Sequence, residues 1–134
     1  LPILNRKKIS YINFFDFQNI QLTTENMIDF MTPKKVMKIS NKKILTYSEM
    51  LKKKLNEVLY EKDLNKLGYK TLDNSVEEIS NLLDEIKKNK NSKFVKESKT
   101  QKKFWDIFRN YYNFNPQHSK VSNKFLSKNK ILIK

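Results

Sequence analysis

The 134-residue chain has no cysteine, which excludes disulfide scaffolds, thiol nucleophiles and cysteine-ligated metal sites. Its one histidine, His118, cannot form a two-histidine metal site or pair with a second imidazole. It sits in Pro-Gln-His-Ser-Lys, with no neighbouring carboxylate to orient it as a base. A single glycine, Gly68, rules out a Gly-rich phosphate loop. No stretch approaches the roughly 20 apolar residues of a membrane span, so no transmembrane segment is expected. From these absences we expect a non-catalytic protein with no metal and no cofactor.

Alanine is also missing, and arginine occurs twice against 26 lysines. Lys, Asn, Ile, Phe, Tyr and Met, whose codons are AT-rich, supply 73 of the 134 residues. The gene therefore reads as coming from an AT-rich genome, and lysine in place of arginine says little about what is bound. The chain opens at Leu1, as a processed mature chain or an excised fragment would, and its start has no signal-peptide pattern. A soluble chain is expected, and an organellar matrix or export would each suit it.

What is present is charge. Lysine and arginine number 28 against 14 acids, a net +14. Residues 1–46 carry +5, residues 47–91 are neutral and residues 92–134 carry +9. A neutral centre between basic ends is the pattern of attachment to a polyanion.

Apolar spacing divides the chain into three parts. Residues 1–22 are apolar and aromatic without clean periodicity, and read as an extended N-terminal arm or an edge strand. Residues 23–116 read as a single helical domain. A short helix is expected from Thr24 to Met31, interrupted at Thr32-Pro33, with a further turn from Pro33 to Ile39. Thr46-Tyr47-Ser48-Glu49 is a capping box, and Tyr47, Met50, Leu51, Leu55, Val58, Leu59, Leu64 and Leu67 predict a helix over 47–67 closed by Gly68. A second box, Ser75-Val76-Glu77-Glu78, opens a helix over 76–88 with Val76, Ile79, Leu82, Leu83 and Ile86 on its apolar stripe. The two are expected to pair as a helical hairpin. An aromatic-rich third helix, about 94–112, would close the hairpin's apolar face, and Asn113-Phe114-Asn115-Pro116 would end it. Residues 117–134 carry five lysines and no acid, and read as a basic C-terminal tail, either an extended or disordered arm or a weak helix with Lys120, Lys124 and Lys128 on one face. The expected fold is thus mainly α: a small helical bundle with irregular basic arms at both ends.

The candidate nucleic-acid contacts are Arg6, Lys7 and Lys8 at the start, Lys102, Lys103 and Arg109 on the third helix, and Lys120, Lys124, Lys128 and Lys130 in the tail. Lysine and arginine would neutralise phosphates, while Trp105, Tyr111 and Tyr112 form a possible aromatic contact surface for unpaired bases. Aromatics at helical spacing also serve as core, and most of this set is expected there. Lys52-Lys53-Lys54 share their predicted helix with Glu49, Glu57 and Glu61, so helix-face pairing accounts for them. Glu77, Glu78, Asp84 and Glu85 read as solvated. Two functions follow from the pattern. The first is a structural subunit of a larger RNA–protein assembly, touching RNA through its basic ends and neighbouring proteins through its neutral centre. The second is a secreted or exported helical module, of parasite or bacterial effector type, that binds an acidic host protein.

Overall fold

The computed structural model describes residues 9–19, 30–89, 98–112 and 119–134 and is mixed α/β, which overturns the expected mainly-α bundle. The strands are β1 (Ser10–Phe14), β2 (Phe30–Pro33), β3 (Lys35–Lys38), β4 (Tyr69–Leu72) and β5 (Lys120–Val121). The helices among the described residues are α1 (Tyr47–Lys52), α2 (Glu61–Lys66), α3 (Val76–Lys88), α4 (Lys99–Tyr112) and α5 (Asn123–Lys128). β1, β2 and β5 form a parallel sheet with β2 in the middle, and β3 and β4 form an antiparallel pair. All four residues of β2 are buried, so both faces of the central strand are covered. A strand covered on both faces shows no alternation, which is why Phe30-Met31-Thr32-Pro33 did not read as one. In the segment expected to turn from Pro33 to Ile39, Pro33 instead ends β2 and Lys35–Lys38 is β3, and Met31 is in strand. Residues 24–29 of the expected short helix lie outside the described residues.

The predicted helix over 47–67 is broken. α1 ends at Lys52, Lys54 takes a left-handed conformation (φ 55°), a 3-10 turn spans Leu55–Glu57, and α2 follows. Helical phase explains the break. At about 100° per residue, a straight helix would carry Leu64 roughly a third of a turn off the Tyr47–Met50–Leu51–Leu55 stripe and put Leu67 opposite it. Breaking the helix lets Leu64 reach the core, where it is 1 % exposed. Gly68 does adopt the left-handed conformation (φ 87°), and its amide donates to the Asn65 carbonyl. The chain then runs into β4, whose Tyr69 pairs with Lys38 and whose Leu72 pairs with Lys35. No helical hairpin forms. α3 does span Val76–Lys88 behind the Ser75 capping box, but it packs on β2 and α5. Of its expected stripe only Leu82 is buried, while Val76 and Leu83 face solvent.

Both expected arms contribute to the core. Phe14 of β1 and Phe17 of the 3-10 turn Phe17–Asn19 are buried. At the other end, β5, α5 and the 3-10 turn Lys130–Ile133 bury Val121, Phe125, Leu126, Leu132 and Ile133. Five lysines in eighteen residues masked an apolar series whose partners are distant in sequence. α4 supplies the centre with Phe104, Trp105 and Phe108, and residues 94–97 of the expected third helix lie outside the described residues. Phe108 stacks on Phe17 with centroids 5.1 Å apart, and Phe104 meets Tyr47 edge-on at 5.4 Å.

Polar side chains hold these elements in register. The Gln101 amide of α4 accepts from the Val121 N–H and donates to the Val121 carbonyl, closing the outer edge of β5 as a neighbouring strand would. Asn13, itself left-handed (φ 54°), exchanges two hydrogen bonds with Asn74: each backbone N–H donates to the other's side-chain oxygen. Of the α3 acids that read as solvated, Asp84 is exposed, but Glu77, Glu78 and Glu85 are engaged in structure. Glu85 accepts from the first amides of α5 at Asn123 and Lys124, and Glu77 pairs with Lys128. Glu78 closes the capping box and meets Lys35 at 2.6 Å, with both side chains mostly buried.

Burial pushes the Glu78 carboxyl up, but the Lys35 hydrogen bond, the Ser75 amide and the Lys35 charge together hold it below its ordinary value. A carboxyl depressed in the folded state contributes stability above its unfolded value. That contribution is lost as pH falls from about 4.5 through the folded value. Thermal melts from pH 7 to pH 2 should therefore show Tm falling below about pH 4.5. Glu78→Gln should destabilise at pH 7 by about 2 kcal/mol, less than for a fully buried pair because Lys35 reaches solvent, and should flatten the acid limb. An unchanged acid limb in the variant would remove Glu78 as its source.

Candidate nucleic-acid interface

The buried face of α4 commits Gln101, Phe104, Trp105 and Phe108 to the core, which leaves Lys103, Asp106, Ile107, Asn110 and Tyr111 on the adjoining flank. That flank faces Ser48, Leu51 and Lys52 of α1 and the terminal pair Ile133 and Lys134. Together they line an open groove of about 490 Å³. Leu51, Ile107 and Ile133 provide apolar lining, and Lys52, Lys103 and Lys134 are exposed cations along it.

The one acidic side chain among the residues that line the groove, Asp106, is already paired. Asp106 accepts from Arg109 at 2.9 Å and from Lys102 at 3.2 Å. The Arg109 hydrogen bond, opposed by burial and reinforced by Lys102, holds the Asp106 carboxyl below its ordinary value. The groove thus presents excess positive charge over an apolar lining. Tyr111 is braced within it: its hydroxyl donates to Glu57 at 3.3 Å, and its ring meets Tyr112 edge-on at 4.7 Å. Burial, with the Glu57 charge, raises the Tyr111 phenol, which stays a donor at neutral pH. Tyr112 is fixed in turn by the Asn56 amide, which donates to its hydroxyl.

The residues expected to bind nucleic acid are dispersed. Lys103 and Tyr111 line the groove, while Lys102 and Arg109 stand beside it on Asp106. Lys124, Lys128 and Lys130 are exposed on α5 and the turn after it, and Lys120 is half-buried in β5. Lys128 is paired with Glu77, so these residues are not a free basic arm. Trp105 is only 2 % exposed, which removes it from the expected contact surface, and Tyr112 is half-buried. Arg6, Lys7, Lys8 and His118 lie outside the described residues.

Sequence reasoning missed Lys52 and Lys134. Lys52 was assigned to pairing along its own helix, but the carboxylates invoked for that are engaged elsewhere. Glu49 binds Lys43 and the Thr46 amide, Glu57 binds Tyr111, and Glu61 binds the Thr71 amide and hydroxyl. Helical phase was a usable signal for Glu57 and Glu61, which the break after α1 separates from Lys52, whereas Glu49 shares α1 with Lys52 and is drawn off by Lys43.

Among the described residues no group of His, Asp and Glu is placed to hold a metal ion, and no helix is long and apolar enough to cross a membrane. No protein-family model matches the chain, and comparison with curated proteins and with solved structures finds no similar protein.

Proposed function

We propose that the protein is a non-catalytic structural subunit of a larger RNA–protein assembly and contacts RNA phosphates through its basic surface. The observation that carries this reading is the groove between α1, α4 and the terminal turn. There Lys52, Lys103 and Lys134 stand together, and the one acidic side chain of the lining, Asp106, is paired with Lys102 and Arg109. Three phosphate contacts by these lysines would give log K a slope of about −2 against log salt on single-stranded RNA. Raising salt from about 50 to about 200 mM should then weaken binding of the full chain about 20-fold, with a steeper fall if further lysines take part. Titrating the protein against a structured RNA with single-stranded loops measures this. No binding at the lower salt, or binding without a slope, removes the proposal.

A second reading, a module that docks on another protein, is favoured by one observation. Val76 and Leu83 of α3, one heptad apart, are 85 % and 51 % exposed. In an assembly subunit the same face would meet a protein neighbour, so the first reading accommodates it.

A further inference from the structure

We propose that the α1–α4 groove is a site for unpaired RNA, with one base stacked on Tyr111 and the flanking phosphates on Lys52, Lys103 and Lys134. This rests on the RNA reading above and names the form of RNA taken. Lysines alone would serve a duplex, whose outside is phosphate and sugar. The groove instead combines its cations with an apolar and aromatic lining of Leu51, Ile107 and Tyr111. That lining has no counterpart on a duplex, whose base faces are hidden. An unpaired nucleotide matches both parts, with a charged phosphate on one side and a flat π-face on the other. At about 490 Å³ the groove falls within the range of about 300–1,000 Å³ typical of small-ligand pockets.

Tyr111 is prepared for the role. It is 39 % exposed, yet its hydroxyl is tied to Glu57 and its ring leans edge-on against Tyr112 at an interplanar angle of 75°. Asn56 holds the Tyr112 hydroxyl from behind. A ring braced in this way has little rotamer freedom left to lose when a base settles on it. Asn110, on the same wall, offers an amide donor and acceptor to a base edge. A glutamate-rich peptide would answer the lysines and could pair with Asn110, but it has no flat π-face for the braced ring.

The experiment uses the full chain and a fluorescein-labelled ten-nucleotide single-stranded RNA, the same RNA annealed to its complement, and a labelled glutamate-rich peptide, by anisotropy at about 50 and 200 mM salt. Wild type should prefer the single strand to the duplex. Tyr111→Leu should weaken single-strand binding by about 5- to 150-fold with the salt slope unchanged, and Tyr111→Phe, which keeps the ring, should restore most of it. Lys103→Gln should weaken binding and flatten the slope by about 0.7. Melting temperatures near wild type establish that each variant is folded. Equal affinity for duplex, or salt-dependent RNA binding untouched by Tyr111→Leu, overturns the groove assignment and leaves the RNA-subunit reading standing. Absence of RNA binding overturns both. Tighter binding of the peptide, lost in Lys103→Gln, overturns both in favour of an acidic protein partner.

Discussion

A chain ending at Pro116 is expected not to fold. The lost residues include Val121, Phe125, Leu126, Leu132 and Ile133, each at most 5 % exposed. Burying such side chains contributes about 1.5–3 kcal/mol apiece, so their joint loss is comparable with the whole stability of a domain, about 5–15 kcal/mol. Polar terms add to this. Without β5, the central strand β2 loses a neighbour and the Gln101 amide loses both of its Val121 bonds inside the protein. Circular dichroism and a thermal melt of the shortened chain should show no cooperative transition. A transition near the full-length Tm would return these residues to the role of a dispensable arm. One practical consequence concerns RNA binding. Truncation cannot isolate the lysines of residues 117–134, because it removes the core with them, so their role has to be read from single Lys→Gln substitutions.

Phe17→Ala is expected to cost about 3–5 kcal/mol, as for other buried Phe truncations. Phe17 is fully buried and lies in van der Waals reach of four aromatic rings. It stacks on Phe108 at an interplanar angle of 12°, meets Phe14 and Phe15 edge-on at 5.5 and 5.6 Å, and tilts against Tyr47 at 5.8 Å. Removing its ring would leave Phe108 and Tyr47 facing a cavity between elements that are too constrained to collapse into it. Phe17→Leu, which retains much of the apolar volume, should recover more than half of the loss. Tyr11→Ala, at a residue 49 % exposed on the same N-terminal segment, should cost less than about 1 kcal/mol. Urea unfolding distinguishes these outcomes through the midpoint, provided the m value is unchanged. A loss below about 1 kcal/mol for Phe17→Ala would mean that this segment only rests on the domain.

The two ends of the chain also show where local reading fails. The capping boxes at Thr46 and Ser75, the left-handed Gly68 and the whole of α3 were legible because each depends on neighbours within a few residues. The aromatic face of α4 was legible for the same reason, and so were Lys103 and Tyr111 as candidates on it. The parallel sheet was not. Its strands begin at Ser10, Phe30 and Lys120, and the last has only two residues, too few to carry a period. Lysine fills exposed positions on α5 and in the terminal turn and hid the apolar residues that lie between them.

The candidate site shows the same division. Composition and order in the chain determined the net charge, its concentration at the two ends and the helix that carries Lys103 and Tyr111. Only the tertiary structure decided which lysines are available. It directed Glu49, Glu57 and Glu61 away from Lys52 and set Glu77 against Lys128, bringing α1, α4 and the terminal turn to one groove. The physical reason is that a charge's role depends on its partner, and Lys34–Asp73, Lys35–Glu78 and Lys128–Glu77 join partners tens of residues apart, brought close by packing that no local pattern encodes.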